Sequence, residues 1–357
     1  MIRRNDHHYQ PSSVHFVGSI GLDTADEVFS TLGRLLGHRL RRIPDGEPGP
    51  RRLWISFQYL VLRSNPLLRP DPGGSVRKTS GFPMICLGEN VDPDELRFSE
   101  LGYARDAKGS YLDFCAARDR GDIGKGVRFQ VCLPTPMAVV YAFCVPNDIA
   151  AIERAYEAAM LREIEMICAS IPHDDLCIQW DFSNEMVILD GQPQDHFPII
   201  NASLGEIMSR MRRICEPIPV AVEVGIHLCY GDFGAKHFIE PKDAERMVNV
   251  ANSLSENISH PLNFVHFPVP IGRDDDGYFK PFAKLNLPKS TELYLGLIHA
   301  ADGLDGAWRR IRTASRFVED FGVSTECGIS RARKPETVRI LIEMHASLSA
   351  ESDQRSG

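Results

Sequence analysis

Long basic tracts, low-complexity linkers, internal repeats and membrane-length apolar runs are all missing from this chain of 357 residues. No window reaches the roughly 18 apolar residues that a membrane span needs, so no transmembrane segment is expected. The start, Met-Ile-Arg-Arg-Asn-Asp-His-His, lacks the apolar core of a signal peptide. Net charge is −8 and the Lys and Arg residues form no long cluster, which argues against nucleic acid or an anionic membrane as the main partner. The nine cysteines are an odd number, scattered through apolar stretches and not spaced as a secreted disulfide framework. Together these absences place the chain in a reducing cytoplasm with small molecules as its partners.

What is present is an ordinary globular composition, 43% apolar and 25% charged, long enough to bury a large core. Short β-rich runs alternate with helical stretches, the pattern of a parallel sheet with crossover helices. The predicted strands are Val14–Ser19, Leu40–Ile43, Phe82–Leu87, Arg128–Leu133, Leu176–Asp181, Val220–His227, Leu262–Phe267, Glu292–His299 and Val323–Cys327. That number is close to eight, so the expected fold is α/β, a single (β/α)8 TIM barrel over 14–346 with short tails at 1–13 and 347–357. Predicted helices include Asn147–Ala169, Ala307–Phe321 with Gly322 as its C-cap, and Pro335–Met344.

Barrel enzymes build their sites at the carboxyl ends of the strands. There the chain carries Ser19, Asp45 and Glu47, Asp181 with Glu185 beyond it, His227 and Cys229, His266, His299, and Glu326 with Cys327. His227, Cys229 and Cys327 form a zinc-type set, one imidazole and two thiols, that leaves one coordination position open. His-x-Cys alone equally describes a buried cysteine beside a core histidine. Pro-Asp-Gly at 44–46 is also good turn chemistry. Arg331 and Arg333 are either anion-binding or surface residues, and 273–278 is a solvated loop or part of a lid.

The order of these motifs resembles the catalytic barrel of cobalamin-independent methionine synthase. It runs Gly-Ser near the amino end, Asp-Gly-Glu with a following Trp-Ile, Gln-x-Asp, His-x-Cys-Tyr, and Glu-Cys-Gly before a last helix. The wider superfamily includes uroporphyrinogen decarboxylase. The resemblance spans about 14–344 and implies that His227, Cys229 and Cys327 hold Zn2+. It also implies that Ser19, Glu47 and Asp181 bind the head group of an amino-acid thiol, and that His299 stands near the reacting sulfur. Two departures stand out. A further glutamate ligand has no counterpart, so His266, Glu326 or substrate would take its place, and the folate-stacking tryptophan is not found at 136–143.

The implied activity is transfer of an alkyl group, foremost methyl, to a substrate thiol activated as the zinc thiolate, with His299 and Asp181 as catalytic groups. Glu185 and His266 are further candidate substrate contacts. The partners are then a small-molecule thiol and an alkyl donor, a folate-type methyl donor among the options. The competing readings are a metal-free lyase of the uroporphyrinogen decarboxylase kind and a non-catalytic zinc or small-molecule binding protein.

Overall fold

The computed structural model describes residues 9–77, 80–191, 202–232, 234 and 236–349. Among the described residues nine strands form two sheets. β1 (Arg42–Pro44), β4 (Arg128–Pro134), β5 (Leu176–Phe182), β6 (Glu223–Leu228), β7 (Leu262–Pro268), β8 (Glu292–Ile298) and β9 (Gly322–Thr325) make one parallel sheet in that order. β2 (Leu68–Pro70) and β3 (Ile85–Leu87) pair antiparallel outside it.

The strands alternate as a curled sheet with two covered faces requires. On β5, Cys177, Gln179 and Asp181 point one way, while the fully buried Ile178, Trp180 and Phe182 point the other. The inward side chains form layers. At the amino ends of the strands, the buried Arg42 pairs with Glu223 at 2.5 Å and Glu292 at 2.7 Å. Cys177, Phe264 and Tyr294 pack as a small separate cluster. Gly225 makes this possible, because a Cβ there would lie 2.0 Å from the Phe264 ring. Higher up, Gln179 holds His15 at 2.9 Å through Oε1 and donates to Asp181 Oδ1 at 2.9 Å.

A regular eighth strand, expected at Val14–Ser19, does not form. The segment instead spans the two edges of the parallel sheet by isolated contacts. Val14 makes single parallel bridges to Leu40 on one side and Val323 on the other, and Ile20 N and Ile329 N donate to Gly46 O and Ser19 O. The sheet is therefore a curled seven-stranded one and not the complete eight-stranded barrel expected. Phe82–Leu87 also departs from expectation, since only Ile85–Leu87 is a strand and its partner is the unforeseen β2.

Helices cover the outer face. The helix predicted at Asn147–Ala169 runs Ile149–Ser170, and Asp148 does not cap it by side chain but accepts from Leu87 N. Helix Leu204–Cys215 starts in a capping box between Ser203 and Glu206. The helix expected at Ala307–Phe321 lies at Gly303–Ala314, and Gly322 opens β9 rather than capping it. Among the described residues no helix is long and apolar enough to cross a membrane.

Candidate functional site

The carboxyl ends of β5 and β6, and the turn after β9, bring together side chains from distant parts of the chain. Parallel pairing sets Asp181 opposite His227, and His227 opposite His266. Cys229 follows β6, its backbone N held by Phe182 O at 3.0 Å. Cys327 follows β9, and its carbonyl accepts from Thr325 Oγ1 at 2.8 Å. The result is a buried trio, with donor atoms of His227, Cys229 and Cys327 all within 4.8 Å of one another.

The two sulfurs stand 3.8 Å apart, far beyond disulfide length. Two thiolates on one tetrahedral zinc, with Zn–S bonds of about 2.3 Å, would stand about 3.8 Å apart. Their mutual hydrogen bond pulls the Cys229 thiol below its usual pKa and pushes the Cys327 thiol above it. Backbone N–H of Gly231 at 3.3 Å from Cys229 Sγ and the Arg331 guanidinium at 3.6 Å from Cys327 Sγ donate toward the sulfurs.

The imidazole is set by its neighbours. His266 Nε2 lies 3.0 Å from Thr325 O, and a carbonyl only accepts, so this nitrogen carries the proton. Burial pushes the His266 pKa down to about 3, so the ring is neutral and its Nδ1 is an acceptor. His227 Nδ1, 2.8 Å away, must then donate to it, which leaves a lone pair on His227 Nε2. That nitrogen is buried with no hydrogen-bond partner among the described residues. An orphaned imidazole lone pair beside two thiols is a donor set that fits a metal ion. Both nitrogens of His266 are engaged, so it orients His227 and is neither a fourth ligand nor a substrate contact.

The cavity against this trio is also lined by Ser19, Glu47, Trp54, Asp181, Asp232 and Arg331. Glu47 reaches it from a turn that is also what its sequence suggested. Asp45 Oδ1 accepts from Glu47 N at 2.9 Å, Gly46 takes φ +80°, and Glu47 itself sits at φ +53°. Asp45 is held by Arg51 at 2.5 Å and Ser110 at 2.6 Å, so it supports the turn and leaves Glu47 to face the cavity. A second left-handed residue, Trp54 at φ +54°, brings its indole N–H to Asp181 Oδ2 at 3.0 Å.

Burial, and then repulsion from Asp181, pushes the Glu47 pKa up to about 8. Burial pushes Asp181 up to about 7 against the hydrogen bonds from Gln179 and Trp54. Ser19 packs its hydroxyl against Gly328, where a Cβ would come within 2.2 Å. That close approach explains the glycine after Cys327.

Other expected residues lie outside this cavity. Glu185 is buried in a different one, hydrogen-bonded to Thr135 Oγ1 and facing Ile207 and Met211. Its place on the helix after β5, and not at the strand end, turns it away. His299 is bonded through Nε2 to Val269 O at 2.9 Å and lies 3.4 Å from Glu326, and burial pushes its pKa down to about 3. Glu326 in turn meets His237 at 3.4 Å. Trp54, Asp232 and His237 were not read as site residues. Asp232 and His237 lie on the loop after β6, and Trp54 sits at the kink of the 3-10 segment Gly49–Phe57, although it belongs to the Trp-Ile pair of the resemblance. Arg331 and Arg333 both reach Asp232, at 3.3 and 3.5 Å, so neither is a free surface charge.

An α/β sheet with a His/Cys/Cys cluster at the carboxyl ends of its strands defines the class, and known structures agree with the fold. A Listeria monocytogenes structure, provisionally named a vitamin-B12-independent methionine synthase, matches with a TM-score of 0.57 at 14% identity over 96% of this chain and 99% of its own. A B12-independent methionine synthase from a Shewanella species, in complex with selenomethionine, matches with a TM-score of 0.57 at 12% identity over 96% and 97%. The fold is thus similar to that of structures named as methionine synthases, as the motif order led one to expect, with the complete eight-stranded barrel not formed among the described residues. No protein-family model and no curated protein sequence matches the chain.

Proposed function

We propose that the chain is a zinc-dependent alkyl transferase, with methyl as the foremost group, that accepts the group on a substrate thiol. One observation carries the reading: His227, whose Nε2 has no partner among the described residues, lies with a ring nitrogen within 4.8 Å of two cysteine sulfurs that stand 3.8 Å apart. His227, Cys229 and Cys327 would hold the ion, and with three protein ligands it would supply an open position at which a thiol loses its proton at neutral pH. The named activities of the fold relatives point the same way, and the Shewanella protein's selenomethionine is an amino acid whose selenium carries a methyl group.

The chain's own residues do the rest. Glu47 and Asp181, buried side by side with raised pKa values, are disposed to clasp an ammonium group, and Ser19 closes the cavity against Gly328. The substrate sulfur supplies the electron pair of the new S–C bond. The electron pair of the breaking bond stays with the donor's leaving atom, which takes a proton from the buffer to balance the one the thiol released there on binding. With the ammonium group between them Glu47 and Asp181 are both ionised, so Asp181 acts as a charged anchor for the substrate. His299 is neutral at that pH and bound to a carbonyl, so it acts by position and not as an acid.

The test is the metal content of the purified protein, followed by zinc-edge X-ray absorption with and without homocysteine and other thiols. About one zinc per chain that gains a sulfur neighbour is the expected result. A protein without zinc, or a zinc shell no thiol alters, refutes the proposal.

A further inference from the structure

Each cysteine sulfur of the trio receives a hydrogen bond from a nitrogen, and the two donors differ in kind. Gly231 N, 3.3 Å from Cys229 Sγ, belongs to the backbone that carries Cys229 and is fixed by it. The donor to Cys327 Sγ is a side chain, Arg331 Nη2 at 3.6 Å. The same nitrogen lies 3.3 Å from Asp232 Oδ2, so its two hydrogens serve the carboxylate and the sulfur. Arg331 is held in that pose from its own turn. Arg333 Nη1 meets Asp232 at 3.5 Å and also reaches the carbonyls of Gly328 and Arg331, at 3.2 and 3.0 Å. Ala332, between the two arginines, takes φ +53°, a left-handed backbone that alanine rarely adopts.

Two guanidinium groups therefore share the single carboxylate of Asp232, which leaves one positive charge over beside the sulfurs. That surplus bears on a problem any thiol-alkylating zinc site must solve. A metal ion holds its cysteine ligands as thiolates, and a substrate thiol in the open position becomes a third. Each is a nucleophile within reach of the same electrophilic carbon. A thiolate's nucleophilicity falls as its basicity falls, and an N–H donor on the sulfur lowers the basicity while the sulfur stays a ligand. A charged donor does this more strongly than a neutral one.

Resting on the alkyl-transfer reading, we propose that Arg331 is a positioning residue that decides which sulfur receives the group. Its hydrogen bond damps Cys327 as a nucleophile, as the Gly231 N–H damps Cys229, and the substrate thiolate is left the most reactive of the three. In the reaction this suppresses, Cys327 Sγ gives an electron pair to the alkyl carbon, and the donor's leaving atom departs with the pair of the broken bond. The product is a neutral thioether in place of a thiolate ligand, and the site is lost.

Iodomethane added to the zinc-loaded full chain tests this, with the methylated cysteine located by peptide mass mapping and rates compared at equal zinc occupancy. Arg331→Met keeps the length of the side chain without an N–H, and Arg333 remains to pair Asp232. The expected result is that this variant is methylated at Cys327 about tenfold or more faster than wild type, with the rate at Cys229 little changed, and that Arg331→Lys restores part of the protection. Cys229 controls for access, because a substitution that merely opens the cavity speeds both sulfurs alike. With cobalt(II) in place of zinc, the sulfur-to-metal charge-transfer band should move to lower energy in Arg331→Met and return part of the way in Arg331→Lys. Equal methylation of Cys327 in wild type and Arg331→Met, or an equal rise at both cysteines, overturns the proposal. Zinc content and its response to homocysteine, measured on the same samples, report on the transfer reading separately.

Discussion

If Glu47 and Asp181 clasp an ammonium group, binding of an aminothiol must expel their protons along with the thiol's own. Both carboxyls have pKa values raised above their ordinary range, so in the free protein they hold protons near neutrality. A cation between them favours the ionised forms, and the protons go to the buffer. At about pH 7.5 a thiol of pKa about 8.5 carries about 0.9 proton. Glu47 at about 8 carries about 0.75 and Asp181 at about 7 about 0.25. Homocysteine should therefore release up to about 1.9 protons, and mercaptobutyrate, which has the thiol without the amine, about 0.9.

Titration calorimetry in buffers of different ionisation enthalpy reads the number directly. The surplus should vanish at about pH 9, where both carboxyls are already ionised, and Glu47→Gln should remove about three quarters of it. Equal proton release by the two thiols at pH 7.5 would refute the clasp.

Cys229→Ser and Cys327→Ser should each strip zinc while circular dichroism and the unfolding transition stay near wild type, and full metal retention in both would remove the site. Asp181→Asn should weaken aminothiol binding with zinc content unchanged, read by titration calorimetry; unchanged affinity would show that Asp181 does not hold the ammonium group. Arg310, fully buried and bonded to both oxygens of Asp302, should cost about 3 kcal/mol when replaced by Met, read by urea unfolding, with zinc content unchanged.

The parallel strands β4 to β8 were legible because each is a short apolar run between turn residues, and the trio because each donor follows such a run. Val14–Ser19 misled for a physical reason. It is as buried as a strand, but it sits between two sheet edges that its backbone meets only at single bridges. The helix misplaced at Ala307–Phe321 begins instead at Gly303, in the poor helix-former sequence Gly-Leu-Asp-Gly. Gly306 is there because a Cβ would come within 1.8 Å of Asp302 Oδ2, and this lets Asp302 fold back to reach Arg310. Glu185 was read from its nearness to Asp181 in sequence, but the helix starting at Asn184 rotates it into another cavity.

The relay through His266 was equally invisible, yet it decides what His227 can do. Three strands contribute to it: β6 carries His227, β7 carries His266, and the accepting carbonyl of Thr325 ends β9, two residues before Cys327. The backbone that places one sulfur therefore also fixes the tautomer of the imidazole opposite, and the lone pair and the thiols are set by a single packed unit. Removing the relay without changing any donor atom isolates this effect. His266→Leu leaves His227 free to place its proton on Nε2, and zinc affinity should fall about 10- to 100-fold in a chelator competition. His266→Gln can accept from His227 through its amide oxygen and donate to Thr325 through its amide nitrogen, so it should recover most of that loss. If Leu and Gln bind zinc as tightly as wild type, the tautomer argument is wrong and His266 is only packing; if both lose it alike, the imidazole ring itself and not its hydrogen bonds is what the site requires.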